Sequence, residues 1–343
     1  MVEIRSGNIL DADAEALVNT VNTVGVMGKG IALQFRQAFP RNYEVYRRAC
    51  ERSEVQPGKM LVVSTDRLDN PRYVVNFPTK RHWKGKSRIE DIESGLEALV
   101  AEIRRLNIRS IAIPPLGCGN GGLDWEVVRP MIVRAVAAVP EVQVLLYQPR
   151  GAPVPEEMPV ATARPSMTPS RAALLSLMVD YGIPGYRLTL LEVQKLAYFL
   201  QAAGQPLRLQ FVRHKYGPYA ETLNHVLQRI EGHFIRGYGD RSREASIRVI
   251  PEAVEQATRF LSGDAETAGR LERVRRLIEG FETPYGMELL ATVHWVAQSE
   301  SAARNDAEEA VRLVQEWSGR KRRTFRPQHI RTAWGQLHAH GWI

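Results

Sequence analysis

The chain has 343 residues, 44% hydrophobic and 24% charged, with a net charge of +8, which is too long for one ordinary core and implies two domains of globular composition. It holds no run of about 18 uncharged apolar residues, and its start, MVEIRSGNIL, lacks a basic segment followed by an apolar one. No membrane span or secretory leader is expected, and the protein is placed in the cytoplasm.

Two cysteines, Cys50 and Cys118, are too few for a disulfide framework or a structural zinc site. Residues 1–150 carry 21 Lys and Arg against 17 Asp and Glu, and the remainder 25 against 21, so neither half is a basic arm. The dense clusters are Lys80, Arg81, His82, Trp83, Lys84, Lys86, Arg88 and Arg320, Lys321, Arg322, Arg323. They permit a nucleic-acid partner without requiring one.

In chain order, short apolar or alternating strands are expected at 2–6, 16–22, 59–65, 73–77, 110–113 and 142–147. Helical patterns interleave at 30–38, 41–52, 89–105 and 125–139. Such alternation predicts a mostly parallel or mixed sheet with helices on both faces and a ligand at the carboxyl ends of the strands. Three loops follow strand ends: the first leads to Gly30, the second is Pro78–Ser87 and the third Pro114–Asp124.

The first loop lies in ALVNTVNTVGVMGKGIALQF, residues 16–35, which reads strand, glycine loop, helix. Glycines let backbone N–H groups approach an anion, and the helix N-terminus adds a favourable dipole. Neither GxxxxGK[ST] nor GxGxxG is present, and the same residues also fit a tight turn that holds nothing. The third loop, PPLGCGNGGLD, is also glycine-rich and also precedes a helix, at Trp125. Two such loops in one α/β domain suggest a ligand with two phosphates held between them.

Asn22 and Asn19 fit either hydrogen bonding to a ligand hydroxyl or bracing of the loop backbone. Lys80, crowded by Arg81, Lys84 and Lys86, is expected to lose its proton more easily and to serve as nucleophile or base, or else to contact phosphates as part of a solvated loop. Trp83 among these cations fits base stacking or plain anchoring. Cys118 has no local histidine and reads as a small residue near the ligand, Cys50 as a small buried hydrophobe, and Asp124 as a helix N-cap. His338 and His340 lack an acidic or thiol cluster, so no metal site is expected.

Residues 149–169 hold six of the 20 prolines and mark a semi-extended linker, taken as 151–167. Beyond it, Thr168-Pro169 opens a helix to Tyr181, and Thr189 with Glu192 forms a capping box opening a helix to about Ala203. Strands are expected at 207–213 and 247–250. Further helices are expected at 218–231, 252–262, 266–281, 286–298, 306–317 and 327–339.

GNIL (7–10), ALVNTVN (16–22), VMGKGIA (26–32), NFPTK (76–80) and LGCGNGGLDW (116–125), in that order, resemble the ADP-ribose-binding macrodomain family. More closely they resemble the DarG antitoxin family of DarT–DarG toxin–antitoxin pairs. VQKLAYFLQ (193–201), KYGPYAETLNHVLQRIEGHFIRGYGD (215–240) and the C-terminal RPQHIRTAWGQLHAHGWI resemble the toxin-binding region of that family; KLAYFL and YGPY are also similar to Panacea antitoxin domains. The resemblance implies a mixed-sheet macrodomain over 1–150 and a mainly helical toxin-binding domain over 168–343, with an end resembling a winged helix. It implies hydrolysis of ADP-ribose from thymidine in single-stranded DNA, with free ADP-ribose as product, no cofactor and no metal. The cognate DarT toxin is the expected protein partner.

Carried over by position, the resemblance places Asn8 and Ile9 by the adenine, Asn19 and Asn22 by the ligand with Asn22 at the distal ribose, and Lys80 as the catalytic residue aided by Asn22. Met27, Gly28, Lys29, Gly30, Ile31 and Ala32 would surround the pyrophosphate from one side. Leu116, Gly117, Cys118, Gly119, Asn120, Gly121, Gly122 and Leu123 would do so from the other. Arg81, His82, Trp83 and Lys84 are the expected DNA contacts. Two departures stand out: Asn8 replaces the aspartate of many macrodomains, and Gly121 replaces the acid that pairs with the lysine in related hydrolases. Two alternatives remain, a non-catalytic ADP-ribose reader and a C-terminal domain that sets Arg320–Arg323 on DNA phosphates. Toxin binding by DNA mimicry would need a local acidic face, with Glu300, Asp306, Glu308 and Glu309 as its candidates.

Overall fold

The computed structural model describes residues 1–149, 157–182, 185–239 and 245–343. These residues divide into two compact units, one within Met1–Ala163 and one from Arg164 onward. Of the expected linker, 151–156 lie outside the described residues. The following stretch packs on the first unit: Met158 is buried and the Ala161 N–H donates to the Gln37 carbonyl at 2.9 Å.

The first unit contains β1 Val2–Arg5, β2 Ala16–Asn22, α1 Gly30–Ala38, α2 Pro40–Glu51, β3 Leu61–Ser64, β4 Tyr73–Lys80, α3 Ile89–Leu106, β5 Ser110–Ile113, α4 Trp125–Val136 and β6 Gln143–Tyr147. The sheet order is β1-β6-β5-β2-β4-β3, parallel except for β3, so the expected mixed sheet forms. Period-two alternation divides its side chains between two helical layers. Ala16, Val18, Val75 and Phe77 face Ile92 and Leu96 of α3 and Val128 and Ile132 of α4. Leu17, Val74 and Leu145 face Phe35 of α1. The buried side chain of Asp91 near the start of α3 and the Asp124 cap of α4, which accepts from the Glu126 N–H at 3.0 Å, suit helix N-termini.

In the second unit come α5 Pro169–Tyr181, α6 Leu190–Ala202, β7 Val212–His214, β8 Gly217–Tyr219, α7 Glu221–Ile230, β9 Ile235–Arg236, β10 Arg248–Val249, α8 Pro251–Leu261, α9 Ala265–Ile278, α10 Pro284–Ser299, α11 Ser301–Asn305, α12 Ala307–Glu316, α13 Gly319–Thr324 and α14 Pro327–Ala339. The capping box forms at Thr189 and Glu192. Helices α6 and α10 bury nearly every side and form the centre of this unit. The strand expected at 207–213 is confined to Val212–His214. Arg208 takes a left-handed φ of 56°, and the Gln201 amide occupies the N–H and C=O of Leu209, which removes a strand's usual partners. Among the described residues no helix is long and apolar enough to cross a membrane.

Candidate active site

Strand β2 lies between β4 and β5, and all three run parallel, so the loops after them leave the same edge of the sheet. β4 runs three residues beyond its expected end: Val21 pairs with Pro78, and after a register shift Asn22 pairs with Lys80. Proline is tolerated there because β3 stops pairing at Asn76, leaving β4 one neighbour at that point. Lys80 is therefore fixed by a sheet rather than carried on a loop.

The Lys80 Nζ donates to the backbone carbonyl of Asn120 in the second glycine loop. Burial pushes its ammonium below the usual lysine range. The expected cause, crowding by cations, is corrected by their placement. Arg81 turns to the buried Asp91, at 3.0 and 3.3 Å, and the Lys84 ammonium sits 4.9 Å from the Trp83 ring centre. Lys80 forms no ion pair among the described residues.

The two glycine loops meet at this lysine. A Cβ on Gly30, whose φ is +58°, would lie 2.9 Å from the Asn120 amide nitrogen. Gly121 is closer still: its Cβ would lie 2.2 Å from the Gly117 carbonyl and 2.3 Å from Ser87 Oγ. No acid fits at Gly121, which gives the departure from related hydrolases a steric cause. Ser87 supports the loop by donating its N–H to the Gly121 carbonyl at 3.0 Å, while its buried hydroxyl has no partner. The loop closes on itself through the Leu123 N–H and Gly117 carbonyl, at 3.0 Å. Gly119, Asn120 and Gly122 remain exposed.

The first loop is braced by Asn22. Its Oδ1 accepts from the Val24 and Val26 N–H groups and the Tyr46 hydroxyl, and its Nδ2 donates to the Val26 carbonyl at 2.5 Å. One amide hydrogen remains for a ligand. The Lys29 side chain makes no cap on α1, so the first N–H groups of that helix lack a side-chain acceptor from their N-cap. Gly28 and Ile31 are half-buried, and Lys29 is exposed.

Asn19, expected at the ligand, is fully buried instead. Its Nδ2 donates to Asn76 Oδ1 at 3.0 Å, and Asn76 exchanges amide bonds with Asn42 of α2. Ile9, Met27 and Leu116 are also core side chains, and Ala32 is nearly so, leaving only their backbones to face a ligand. Asn8 Oδ1 caps the turn at Leu10, at 3.1 Å, while its buried Nδ2 has no partner. That is a donor suited to a ring-nitrogen acceptor. Burial raises the Cys118 thiol to about 11, which keeps it protonated and unreactive at neutral pH.

His82 stacks on the exposed Trp83 with ring centres 5.6 Å apart. A cavity of about 880 Å³ opens beside the first loop, lined by residues that include Thr23, Arg47, Gln56 and Arg81 but neither Lys80 nor the second glycine loop. Sequence reasoning missed Tyr46, Ser87 and Thr23, whose hydroxyl donates to the Arg81 carbonyl at 2.6 Å. These act through bonds to distant segments, which no local motif displays.

In the second unit the expected phosphate contacts divide. Arg320 and the fully buried Lys321 both bind Glu288, and only Arg322 and Arg323 point to solvent. Of the expected acidic face, Glu308 pairs with Arg331, Glu309 with Arg312, and Asp306 caps α12. No group of metal-binding side chains occurs among the described residues.

Residues 18–132 match the Macro domain family. Over 333 residues the chain is 49% identical to a DNA ADP-ribosyl glycohydrolase of Thermus aquaticus, covering 97% of this chain and 92% of that one. Over 349 residues it is 42% identical to the Mycobacterium tuberculosis DNA ADP-ribosyl glycohydrolase, covering 97% and 98%. The solved macrodomain of M. tuberculosis DarG is 53% identical, covers 44% of this chain and 99% of its own, and superposes with a TM-score of 0.43.

Proposed function

The chain belongs to the DarG family of DNA ADP-ribosyl glycohydrolases, and on that premise we propose that its first unit removes ADP-ribose from thymidine in single-stranded DNA with Lys80 as the reacting group. The observation that carries this reading is the placement of Lys80: an amine with its charge disfavoured by burial, free of carboxylates, bonded to the carbonyl of Asn120 where the two glycine loops meet.

The diphosphate seats against the N-terminus of α1 and the exposed residues Gly119, Asn120 and Gly122. Asn22 offers its remaining amide hydrogen to the distal ribose, and Asn8 Nδ2 donates to the adenine edge. The bond from Lys80 to Asn120 uses an amine hydrogen and leaves the lone pair of the neutral form free. That pair forms a bond to the ribose C1″ as the bond from C1″ to the thymine nitrogen breaks. The bonding electrons leave on the thymine, which takes up a proton equivalent to the one the amine loses. Water then adds its oxygen to C1″ and returns a hydrogen to Nζ, freeing ADP-ribose and the lysine. With Gly121 unable to carry an acid, water and the thymine itself exchange these protons. The second unit, 168–343, binds the cognate DarT toxin.

Incubation with single-stranded DNA carrying ADP-ribosylated thymidine tests the hydrolase. Free ADP-ribose and an unmodified strand are expected; binding of ADP-ribose without release would make the unit a reader. Capture of the cognate toxin by a 160–343 fragment tests the second assignment, and its failure would remove it.

A further inference from the structure

Two sequence motifs of the second unit are not used by the reaction, KLAYFL (195–200) and YGPY (216–219), and the fold joins them. Lys195 Nζ donates to the Pro218 carbonyl at 2.6 Å, and a Cβ on Gly217 would lie 2.8 Å from Thr292 Oγ1, so β8 is clamped onto α6 and α10. What this clamp presents outward is the β7–β8 hairpin, with five consecutive exposed residues, 212–216.

On that hairpin, cations and rings alternate in fixed stacks. The Arg213 guanidinium lies 4.4 Å from the Trp317 ring centre and donates to the Trp317 carbonyl at 3.0 Å. The Trp317 indole N–H returns a bond to the His214 carbonyl at 3.0 Å. The Arg320 guanidinium, anchored on Glu288, lies 4.6 Å from the Tyr216 ring centre. Arg213 and Lys215 form no ion pair among the described residues, and the Lys215 ammonium rests 5.2 Å from the Tyr216 ring centre, from which a phosphate can draw it. Uncompensated cations beside preset planar faces are the elements that hold a single strand: charge follows the backbone, and rings or guanidinium planes take bases that are not paired. An acidic protein-mimic of DNA would require the opposite charge.

We propose that this hairpin with Trp317 is a single-stranded DNA contact, binding phosphates through Arg213 and Lys215 and stacking bases on Tyr216, whether or not the strand is ADP-ribosylated. It extends the DNA-directed reading above and does not depend on the chemistry at Lys80.

The test measures anisotropy of a labelled, unmodified thymidine oligonucleotide with the full chain. Lys215→Glu and Tyr216→Ser change exposed side chains, and unaltered melting temperatures verify their folds. Each is expected to raise Kd at least tenfold, and Lys215→Gln to lower the slope of log Kd against log salt by about 0.7. Unchanged affinity in both hairpin variants overturns the proposal, including the case in which the hairpin serves a protein partner instead. Release of ADP-ribose from a modified thymidine nucleotide should be equal in wild type and hairpin variants. Its absence in wild type would refute the hydrolase and leave the hairpin result standing.

Discussion

Lys80 in the first unit and the pair Lys195 and Lys321 in the second are all lysines whose ammonium is disfavoured by burial. They differ in what surrounds them. Lys195 is 1% exposed and bound to the Pro218 carbonyl; Lys321 is fully buried between Glu288 and Thr292. Lys80 stands at the end of a strand, reachable from solvent, beside glycines that keep side chains away. On the proposed reading, Lys80 can react because a substrate atom can reach it, whereas the same burial at Lys195 and Lys321 accompanies bonds that clamp the fold.

The sharpest way to break this comparison is substitution at each place. Lys80→Ala removes the proposed nucleophile and should abolish ADP-ribose release while leaving the melting temperature unchanged; a stability loss without a rate loss would reverse the roles. Glu288→Ala strips the buried carboxylate from Lys321 and Arg320 and should cost about 3–5 kcal/mol of stability by denaturant titration, with release from a modified nucleotide unchanged. Gly121→Ala should cost about 1–3 kcal/mol through overpacking against Gly117 and Ser87, and it should lower release because the carbonyl that holds Lys80 is one residue away.

A further test is in pH. Burial and the nearby Lys321 push the Lys195 amine down to about 7, from an ordinary 10.5. The unfolded chain therefore binds the proton more tightly, and stability rises with pH across that interval and is lost as pH falls through about 7. The melting temperature of wild type relative to Lys195→Met should climb from neutral pH toward pH 10, and a flat difference would mean that Lys195 is charged in the fold.

Much of the frame was legible locally. Helices α1 and α14 and strand β5 fall within their expected bounds, with glycine or proline at or near an end of each: Gly30 and Pro40 for α1, Pro327 for α14 and Pro114 for β5. The five macrodomain motifs carried the family. What stayed hidden depends on distant partners. Asn19 and Asn22 look alike in sequence, yet Asn76 and Asn42 draw one into the core while Val24, Val26 and Tyr46 hold the other at the loop. The basic cluster around Lys80 suggested charge repulsion, but Asp91 and Trp83 take up Arg81 and Lys84. Arg320 to Arg323 read as a uniform surface run because Glu288, which divides it, lies on α10.

The proposed reaction needs Lys80 as a neutral amine whose proton is weakened by burial. The pH dependence of kcat/KM for release from ADP-ribosylated thymidine DNA, followed from about pH 6 to 10, measures this. The rate should rise with pH as the amine fraction grows and level off below the ordinary lysine value of 10.5. A rate independent of pH across that range would contradict the claim.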